Sequence, residues 1–451
     1  MKVESLGCEK GRKNAWLLAV LMWLLVLQNP LENLSHSFAY LDELVALAGM
    51  LLGGYVVFVV DKGRYIKYHL HVWIPLAVFV AAGLAGNLIY RYQPLKCVAV
   101  DLFTNLKFFA AISLGYFFFR RTPWEDLKRV AVLNGNAAVI LLFCLFLADR
   151  IFDLYPAEVR YGLKSAVLFY RHPTYLAGAL AFLLMLLTVF YEKKNLPAIG
   201  MGLIMFFFTL RAKSMAAAAA YVAIFLFFGV FKRKLKPWHV IVLGVACVLI
   251  AWPKIHFYFI ELADHSARSV MMATSVRIMK DYFPIGTGFG TFASAEAAKH
   301  YSPVYGMYGF QNNFELRDMR DLENTMRLIR EDSYLMECLA EDPSTVYWRP
   351  YLNDHFWPII FGQTGLIVTL AFLVLVGFLI WCCLRVSRLD RYAYTGVLFA
   401  VVYLLISSMA EPAFHNALAV PLALVMGINF QKTDDLILEP DKGEQLCLKR
   451  N

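Results

Sequence analysis

Charged residues are scarce in this chain and almost absent from long stretches of it. Only 17% of the 451 residues are Asp, Glu, Lys or Arg, 60% are hydrophobic, and the mean hydropathy is +0.56. Soluble domains carry about 25% charged residues and seldom place roughly 20 apolar residues in a row. Stretches such as 72–89 and 356–384 are apolar on every side of a helix, so a polytopic α-helical membrane protein is expected.

The sequence also lacks the patterns of several other protein classes. Its eight cysteines are scattered, so neither a disulfide framework nor a CxxC metal site can be drawn from them. No internal repeat is visible at any fixed period. The first apolar segment runs into Gln28, Asn29 and Pro30 without an Ala-x-Ala cleavage pattern, which favours an uncleaved first helix over a signal peptide.

Positive charge alternates along the chain. By the positive-inside rule, connections rich in Lys and Arg face the cytoplasm. The polar stretch 254–355 instead carries 10 Lys and Arg against 14 Asp and Glu, a net charge of −4 in a chain of net charge +9, which fits a position outside. Topology therefore explains the basic balance, and no nucleic-acid partner is expected. The basic connections include Lys62, Arg120, Lys193, Lys232, Arg385 and the N-terminal Lys10.

The apolar runs predict an all-α membrane protein with about 12 transmembrane helices and a large, partly helical extracytoplasmic loop between helices 9 and 10. Both termini would be cytoplasmic. Within the loop, apolar residues at spacings of three and four predict an amphipathic helix over 311–342. The predicted division is 1–253 for helices 1–9, 254–355 for the loop with active-site elements, 356–430 for helices 10–12 and 431–451 for a cytoplasmic tail.

Ionisable residues inside spans are costly and usually face the bundle interior. Asp101 and Lys107, in the fourth span, are expected to form a structural pair or to have separate partners on other helices. Glu411 lies at the outer turn between the last two spans. It is interpreted as a counter-charge for a nearby Arg with a role in substrate binding, or as a solvated turn residue.

Two cations stand out at the end of the seventh span. Arg211 and Lys213 are two positions apart, so they cannot share a helix face, and the pattern predicts a break between helices from which both converge. Basic residues are under-represented on the outer side. An anion held at that boundary, above all the pyrophosphate of a lipid-linked sugar, would explain them. Cations that snorkel to the surface without a ligand are the alternative.

A second pair of polar residues precedes another span. Arg171 and His172 come directly before Pro173, a residue that commonly opens helices. They are expected to face the outer aqueous boundary and to contribute to substrate binding. Interfacial anchoring is the alternative.

The large loop contains three alternating glycines, Gly286, Gly288 and Gly290, after Pro284. Glycine permits tight turns and close approach of the backbone to a ligand, and a substrate-binding role is assigned to all three. The pattern is not a nucleotide fingerprint, because the strand and βαβ context is missing.

The loop closes with an acid and an imidazole, Asp354 and His355, immediately before the tenth span. Either side chain is a candidate general base for an acceptor hydroxyl. Capping of the following helix by Asn353 or Asp354 is a structural alternative that is compatible with this role.

Together these features resemble the O-antigen ligase and polymerase family. The likeness covers most of the chain: twelve spans, Arg211 at the break after the seventh, the long outer loop, Arg277 before Pro-x-Gly-x-Gly-x-Gly-x-Phe, and an acid/His pair before an apolar span containing Gly365. The resemblance implies undecaprenyl-diphosphate-linked glycans as donors on the outer face. It also implies that Arg211 and Arg277 grip the pyrophosphate, with Lys213 assisting by proximity.

One motif departs from the ligase pattern. Ligases of this family resemble one another in a catalytic His eleven residues before a Gly. Counting back from Gly365 gives Asp354, while His355 occupies the next position, where Asn or Ser is usual. The base is therefore Asp354 or His355. The form Asp-x-Phe-Trp-Pro and the segment 301–305 look more like the polymerase branch.

The sequence and the resemblance lead to one expected function. It is metal-independent glycosyl transfer, without a cofactor, that polymerises repeat units of O-antigen, capsule or exopolysaccharide in the bacterial inner membrane. The partners would be the lipid-linked donor, a glycan acceptor and the bilayer. A ligase acting on a lipid A core or a protein is the alternative, and a flippase or transporter with ionisable groups near the midplane is a further one. A receptor would leave Arg211 unexplained.

Overall fold

A computed structural model describes residues 2–63, 66–67, 69–232, 267–300, 302–308, 356–386 and 390–438, with the single positions 242, 245, 249, 252 and 256. Most of the predicted ninth span and the predicted helix over 311–342 lie outside the described residues. Asp354 and His355 also lie outside them.

Within the described part, helices lie over most of the apolar runs of the sequence. Six helical segments there are long and apolar enough to cross a membrane, and three shorter helices are also apolar. The chain is therefore an all-α membrane protein. The helices are α1 (Lys2–Val26), α2 (Gln28–Glu32), α3 (Leu41–Gly54), α4 (Leu70–Tyr90), α5 (Leu95–Phe118), α6 (Trp124–Phe152), α7 (Pro173–Val189), α8 (Leu196–Phe208), α9 (Ala212–Ile224), α10 (Ala267–Asp281), α11 (Ala295–Lys299), α12 (Pro303–Met307), α13 (Phe356–Val386), α14 (Arg391–Ser407) and α15 (Ala419–Leu438).

Helix α7 is the centre of the described bundle. Every residue from Leu176 to Val189 is buried, and α6, α8 and α14 pack around it. Helix α4 differs, since Ile74, Leu88 and Ile89 are exposed apolar side chains of the kind that contact lipid. Helices α7 and α4 thus have similar apolar sequences but different surroundings. Protein surrounds α7, whereas part of α4 forms an apolar outer surface.

Small residues let the helices around α5 approach closely. A side chain at Gly49 of α3 would collide with the backbone of Ala110, and one at Gly115 would collide with the backbone of Leu424 in α15. Close backbone approach at small residues is a main source of helix association in membranes. Helix α5 is held in this way between α3 and α15.

The charged residues of α5 have separate partners outside the helix. The ammonium of Lys107 donates to the Asp42 carboxylate of α3 at 2.5 Å, and Gln28 donates to the same carboxylate at 2.7 Å. Asp101 accepts the backbone N–H of Gly290 at 3.0 Å. Lys107 thus has its partner on another helix, as expected, whereas the partner of Asp101 is a loop residue rather than a residue of another helix.

Helix α13 is broken at Gly365, whose φ of 64° and ψ of −166° are not helical. The loop after α10 fits into this break. Gly286 lies against the backbone of Gly365, and the N–H of Gly288 donates to the carbonyl of Gln363 at 2.6 Å. Residues 286–294 are all buried, so the entrance of the large loop is packed within the helical bundle.

The last helix continues past the end of the last predicted span. Helix α15 runs to Leu438, eight residues beyond position 430, where the apolar run of the sequence ends. Polar residues such as Gln431 and Lys432 continue the helix there. Near this end of the bundle, Lys432 lies 3.9 Å from Asp390, and Lys128 lies 3.4 Å from Glu192. These contacts link the ends of α6, α7, α14 and α15.

Candidate functional site

The break between α8 and α9 sets the position of the two cations that stand out in the sequence. Leu210 has a positive φ of 52°, and Arg211 is extended, with φ −94° and ψ 133°, immediately before α9 begins. The predicted break is confirmed. The side chains of Arg211 and Lys213 are only 13% and 10% exposed, so both point into the protein rather than into open solvent.

Arg211 contacts a histidine from the start of α7. Its Nη2 atom lies 2.6 Å from Nε2 of His172 and 3.4 Å from Oε2 of Glu158. His172 caps α7, and its Nδ1 atom accepts the backbone N–H of Thr174 at 3.2 Å. Pro173 opens the helix as predicted.

The two bonds of His172 have a chemical consequence. A neutral imidazole carries one proton and accepts through the other nitrogen only. Arg211 can only donate, so its 2.6 Å contact with Nε2 is a hydrogen bond in the tautomer that carries its proton on Nδ1, whereas Nδ1 accepts from Thr174 in the tautomer that carries it on Nε2. An anionic oxygen beside Arg211 favours the second tautomer, in which Nε2 and the guanidinium both donate to it.

A short β-hairpin brings Glu158 to Arg211, and the sequence did not predict it. Strands β1 (Val159–Arg160) and β2 (Leu163–Lys164) pair in antiparallel fashion across Tyr161 and Gly162, which both have positive φ. Ser165 donates its backbone N–H to the Glu158 carbonyl at 2.9 Å. Ala166 donates to the carbonyl of Phe208 at 2.7 Å, which fixes the hairpin to the end of α8.

The second cation, Lys213, pairs with Glu411 at 2.5 Å, and the Glu411 side chain is 14% exposed. The counter-charge of Glu411 is thus a lysine rather than an arginine. The same turn between α14 and α15 contacts α13, since the N–H of Phe356 donates to the Ser408 carbonyl at 3.3 Å. The first residue of α13 therefore lies beside the turn that carries Glu411.

Arg171 binds the connection after α1. Its guanidinium lies 3.1 Å from Glu32 and donates to Asn33 at 2.7 Å. The Arg171 side chain is 51% exposed, as expected for a residue at an aqueous boundary. Arg171 directly precedes His172, which contacts Arg211, so its ion pair belongs to the same group as those of Arg211 and Lys213.

We refer to this group as the loop-end cluster. Its ion pairs contain four cations and three carboxylates, because Glu158 also accepts from Arg160 at 2.8 Å, so an excess of one positive charge remains. Each of Arg171, Arg211 and Lys213 lies within 3.4 Å of a carboxylate oxygen. An anionic ligand would displace these carboxylates and neutralise the excess charge. The members are Glu32, Glu158, Arg160, Arg171, His172, Arg211, Lys213 and Glu411.

Arg277 belongs to different surroundings. It lies on α10, its side chain is 75% exposed, and its Nε atom is 3.9 Å from Asp281. Its guanidinium lies 5.5 Å from the ring centre of Tyr308, which donates to Asp281 at 2.7 Å. Burial raises the pKa of the Tyr308 phenol, so this phenol remains a donor. Within the described contacts, Arg277 and Arg211 share no partner.

Three tyrosines that the sequence analysis did not single out, Tyr90, Tyr92 and Tyr282, lie together at the C-terminal end of α10. The hydroxyls of Tyr92 and Tyr282 are 2.9 Å apart, and Tyr90 packs edge-on against Tyr282 with ring centres 4.9 Å apart. Rings with polar tips suit surfaces that are apolar on one side and wet on the other. No spacing in the sequence marks these tyrosines, because they come from the end of one helix and the end of another.

The three alternating glycines are in contact with protein backbone or side chains. A Cβ at Gly288 would lie 2.5 Å from the backbone nitrogen of Asn87, and one at Gly290 would lie 3.3 Å from the Cys97 carbonyl oxygen. The Asn87 amide clamps Phe289 through two hydrogen bonds of 2.8 and 2.9 Å. Packing thus accounts for these glycines, including Gly286 at the α13 break. Their assignment to substrate binding stays a prediction.

The candidate bases Asp354 and His355 lie outside the described residues. Among the described side chains, one group has the arrangement needed to hold a metal ion, and it comprises Cys97, Glu296 and His300. These residues lie in or beside α5 and α11, and none of them belongs to the loop-end cluster.

No protein-family model matches the chain. No curated protein matches it either. The resemblance to O-antigen ligases and polymerases therefore stands on the motifs of this sequence.

Proposed function

We propose that this chain is a glycosyltransferase of the bacterial inner membrane that uses undecaprenyl-diphosphate-linked glycans to polymerise repeat units of a surface polysaccharide. Twelve transmembrane helices, two cytoplasmic termini and an active site on the extracytoplasmic face are part of this proposal. The observation that carries it is the position of two largely buried cations, Arg211 and Lys213, at the break between α8 and α9, with His172 2.6 Å from Arg211. A diphosphate offers acceptor oxygens to the guanidinium, the ammonium and the imidazole together.

The exchange of counter-ions supports the proposal. Lys213 is paired with Glu411, and Arg211 shares Glu158 with Arg160, so both cations are at least partly neutralised before a donor binds. A diphosphate offers two phosphoryl groups and more negative charge than one carboxylate, and Arg binds phosphate oxygens with matched geometry. The donor therefore competes with the two carboxylates for the same cations.

The chemistry is a single displacement at the anomeric carbon of the donor sugar. An acceptor hydroxyl oxygen forms the new bond to this carbon, while the bond to the diphosphate oxygen breaks and its electron pair stays on the leaving group. Arg211 and Lys213 stabilise that developing charge electrostatically. Asp354 or His355 takes the hydroxyl proton, so the protein supplies the charge stabilisation without a metal. Inversion at the anomeric carbon is expected.

The acceptor distinguishes a polymerase from a ligase. A polymerase uses a second lipid-linked repeat unit, whereas a ligase uses a lipid A core or a protein. The tyrosine group around Tyr282 and the exposed Arg277 give the α10 side a surface with hydroxyls and rings for a glycan. In this proposal, Arg277 contacts the substrate from that side.

A transporter is the second candidate, and the buried polar residues of the bundle favour it. Asp42 and Lys107 are at most 4% exposed, and Asp101 is 2% exposed. Asn105 links Asp101 to His415 through hydrogen bonds of 3.1 Å on each side. Buried ionisable groups and a broken helix are typical of transporters, and α13 is broken at Gly365.

Reconstitution in liposomes tests the proposal. The purified protein is supplied with a lipid-linked oligosaccharide as the only glycan, and the products are separated on a gel. A ladder made by the wild type and lost in Arg211→Ala supports the polymerase. Transfer that appears only after a lipid A core or a peptide is added identifies a ligase. Absence of transfer, with movement of the lipid-linked glycan across the bilayer, identifies the transporter.

A matched arginine serves as the control in that experiment. Arg91 lies in the connection between α4 and α5 and donates to the Leu88 carbonyl at 3.4 Å. It is exposed and has no place in the loop-end cluster. Arg91→Gln should leave the ladder unchanged, which separates loss of a specific cation from loss of charge.

A further inference from the structure

Three side chains of different chemistry meet where the large loop crosses the start of α5. Cys97 is buried in the first turn of α5, Glu296 lies in α11, and His300 follows the end of α11. One potential ligand atom from each, a sulfur, an oxygen and a nitrogen, lies within 4.8 Å of the other two. Nε2 of His300 is 3.6 Å from Oε2 of Glu296.

We propose that Cys97, Glu296 and His300 bind a zinc ion, or a divalent metal of similar preference. Thiolate, imidazole and carboxylate are the three ligand types that zinc takes from proteins, at about 2.3, 2.0 and 2.1 Å. Tetrahedral angles with those bond lengths separate the ligand atoms by roughly 3.4–3.6 Å. The histidine and glutamate atoms already have this spacing, and a small shift brings the thiol into range.

The local charges agree with a divalent cation. The Cys97 thiol lies beside the Glu296 carboxylate, and Lys96 and Lys299 are near enough to act on it electrostatically. On binding, the thiol proton leaves to solvent, and a thiolate and a carboxylate then carry two negative charges. The divalent ion neutralises both negative charges. The same two charges offset the repulsion between the ion and the two nearby lysines.

The fold gives this site a role distinct from glycosyl transfer. Helix α11 has five residues, packs against α5 and directly follows the buried loop 286–294. The loop already bonds to the bundle through Asp101, Asn87 and Gln363, and a metal bound to α5 and α11 adds a connection beyond residue 294. Three protein ligands leave a fourth position for water.

Cobalt spectroscopy tests the site directly. The full-length protein is purified in detergent, treated with a chelator and titrated with Co²⁺, which takes the zinc geometry and is visible by absorption. Wild type should bind one equivalent with a thiolate-to-cobalt charge-transfer band, and one equivalent of Zn²⁺ should remove the band. Cys97→Ser should abolish the band. His300→Ala should weaken cobalt binding by more than the roughly 10–100-fold seen for outer-shell changes.

The variants include their own folding control. His300 is exposed, so His300→Ala retains the fold even if the buried Cys97→Ser does not. The chain has eight cysteines and ten histidines, and the exposed Cys144 and His36 provide matched replacements elsewhere. Cys144→Ser and His36→Ala should keep the band. A band that survives in Cys97→Ser, equal affinity in His300→Ala, or no stoichiometric cobalt binding by wild type would overturn the proposal.

Discussion

Arg211 and His172 directly precede two different helices, α9 and α7, and their Nη2 and Nε2 atoms are 2.6 Å apart. His172 caps α7 through Nδ1 in one tautomer and accepts from Arg211 through Nε2 in the other. An anion bound at Arg211 is therefore coupled to the cap of α7. The functional prediction with the most direct structural support concerns this pair.

Removal of the guanidinium should stop long-chain synthesis. Arg211→Ala removes one pre-placed cation, and loss of a comparable charge-stabilising group elsewhere costs about 10²-fold or more in turnover. Arg277→Ala is expected to abolish long-chain product as well, while both variants still insert in the membrane. Product length on a gel and the amount of protein in the membrane fraction are the two measurements. Wild-type chain length from a well-inserted Arg211→Ala variant would contradict the assignment.

The two ion pairs of the loop-end cluster should differ in their effect on stability. Lys213 and Glu411 are 10% and 14% exposed, so Glu411→Gln takes the paired carboxylate from a largely buried ammonium and should cost about 2–3 kcal/mol. Glu32→Gln is the matched control. It unpairs Arg171, which is 51% exposed, and should cost below about 1 kcal/mol. Thermal unfolding in detergent measures both.

A double variant checks the cause of that loss. Lys213→Met combined with Glu411→Gln removes the Lys213 ammonium together with the Glu411 carboxylate. The double variant should therefore recover most of the stability lost in Glu411→Gln alone. Equal destabilisation by the single and the double variant would show that the loss has another origin than the buried ammonium.

The contact between the large loop and α13 should tolerate no side chain at its centre. Gly365 has a positive φ of 64°, and a Cβ on it would collide with the backbone of Gly286. Gly365→Ala and Gly286→Ala should each destabilise the protein by more than about 3 kcal/mol, from backbone strain and collision together. The fraction of monodisperse protein after solubilisation measures this.

Another glycine of α13 gives the matched control. A Cβ at Gly377 would meet nothing within 4 Å. Gly377→Ala should therefore leave stability unchanged or raise it by up to about 1 kcal/mol through helix propensity. A similar loss in all three variants would rule out the specific contact.

The helices of this chain could be predicted from sequence because lipid and buried protein both demand apolar runs of fixed length. The break at Arg211 could also be predicted, since two cations two residues apart cannot share a helix face. Pro173 marked the start of α7 for a similar local reason. In each case, the determining interaction lies within a few residues along the chain.

Partners that are distant in sequence could not be found in the same way. Glu158 reaches Arg211 only because a hairpin of four strand residues folds back onto α8, and the strands are too short to give an alternating pattern. Glu411 was recognised as a counter-charge, but its partner required knowledge of which helices are neighbours. Of the metal-binding group, only the spacing of Glu296 and His300 by four residues was visible, and Cys97 is about 200 residues away.

The insertion of the glycine loop into α13 limits how the protein can be divided. The loop donates from Gly288 to Gln363 at 2.6 Å and accepts at Pro284 from Ile367 at 3.1 Å, so the two sides of the break at Gly365 are bonded to one segment. A chimera that exchanged residues 267–308 for those of another protein would leave the break in α13 without the segment that bonds to both of its sides. Loop and helix must be transplanted as one module.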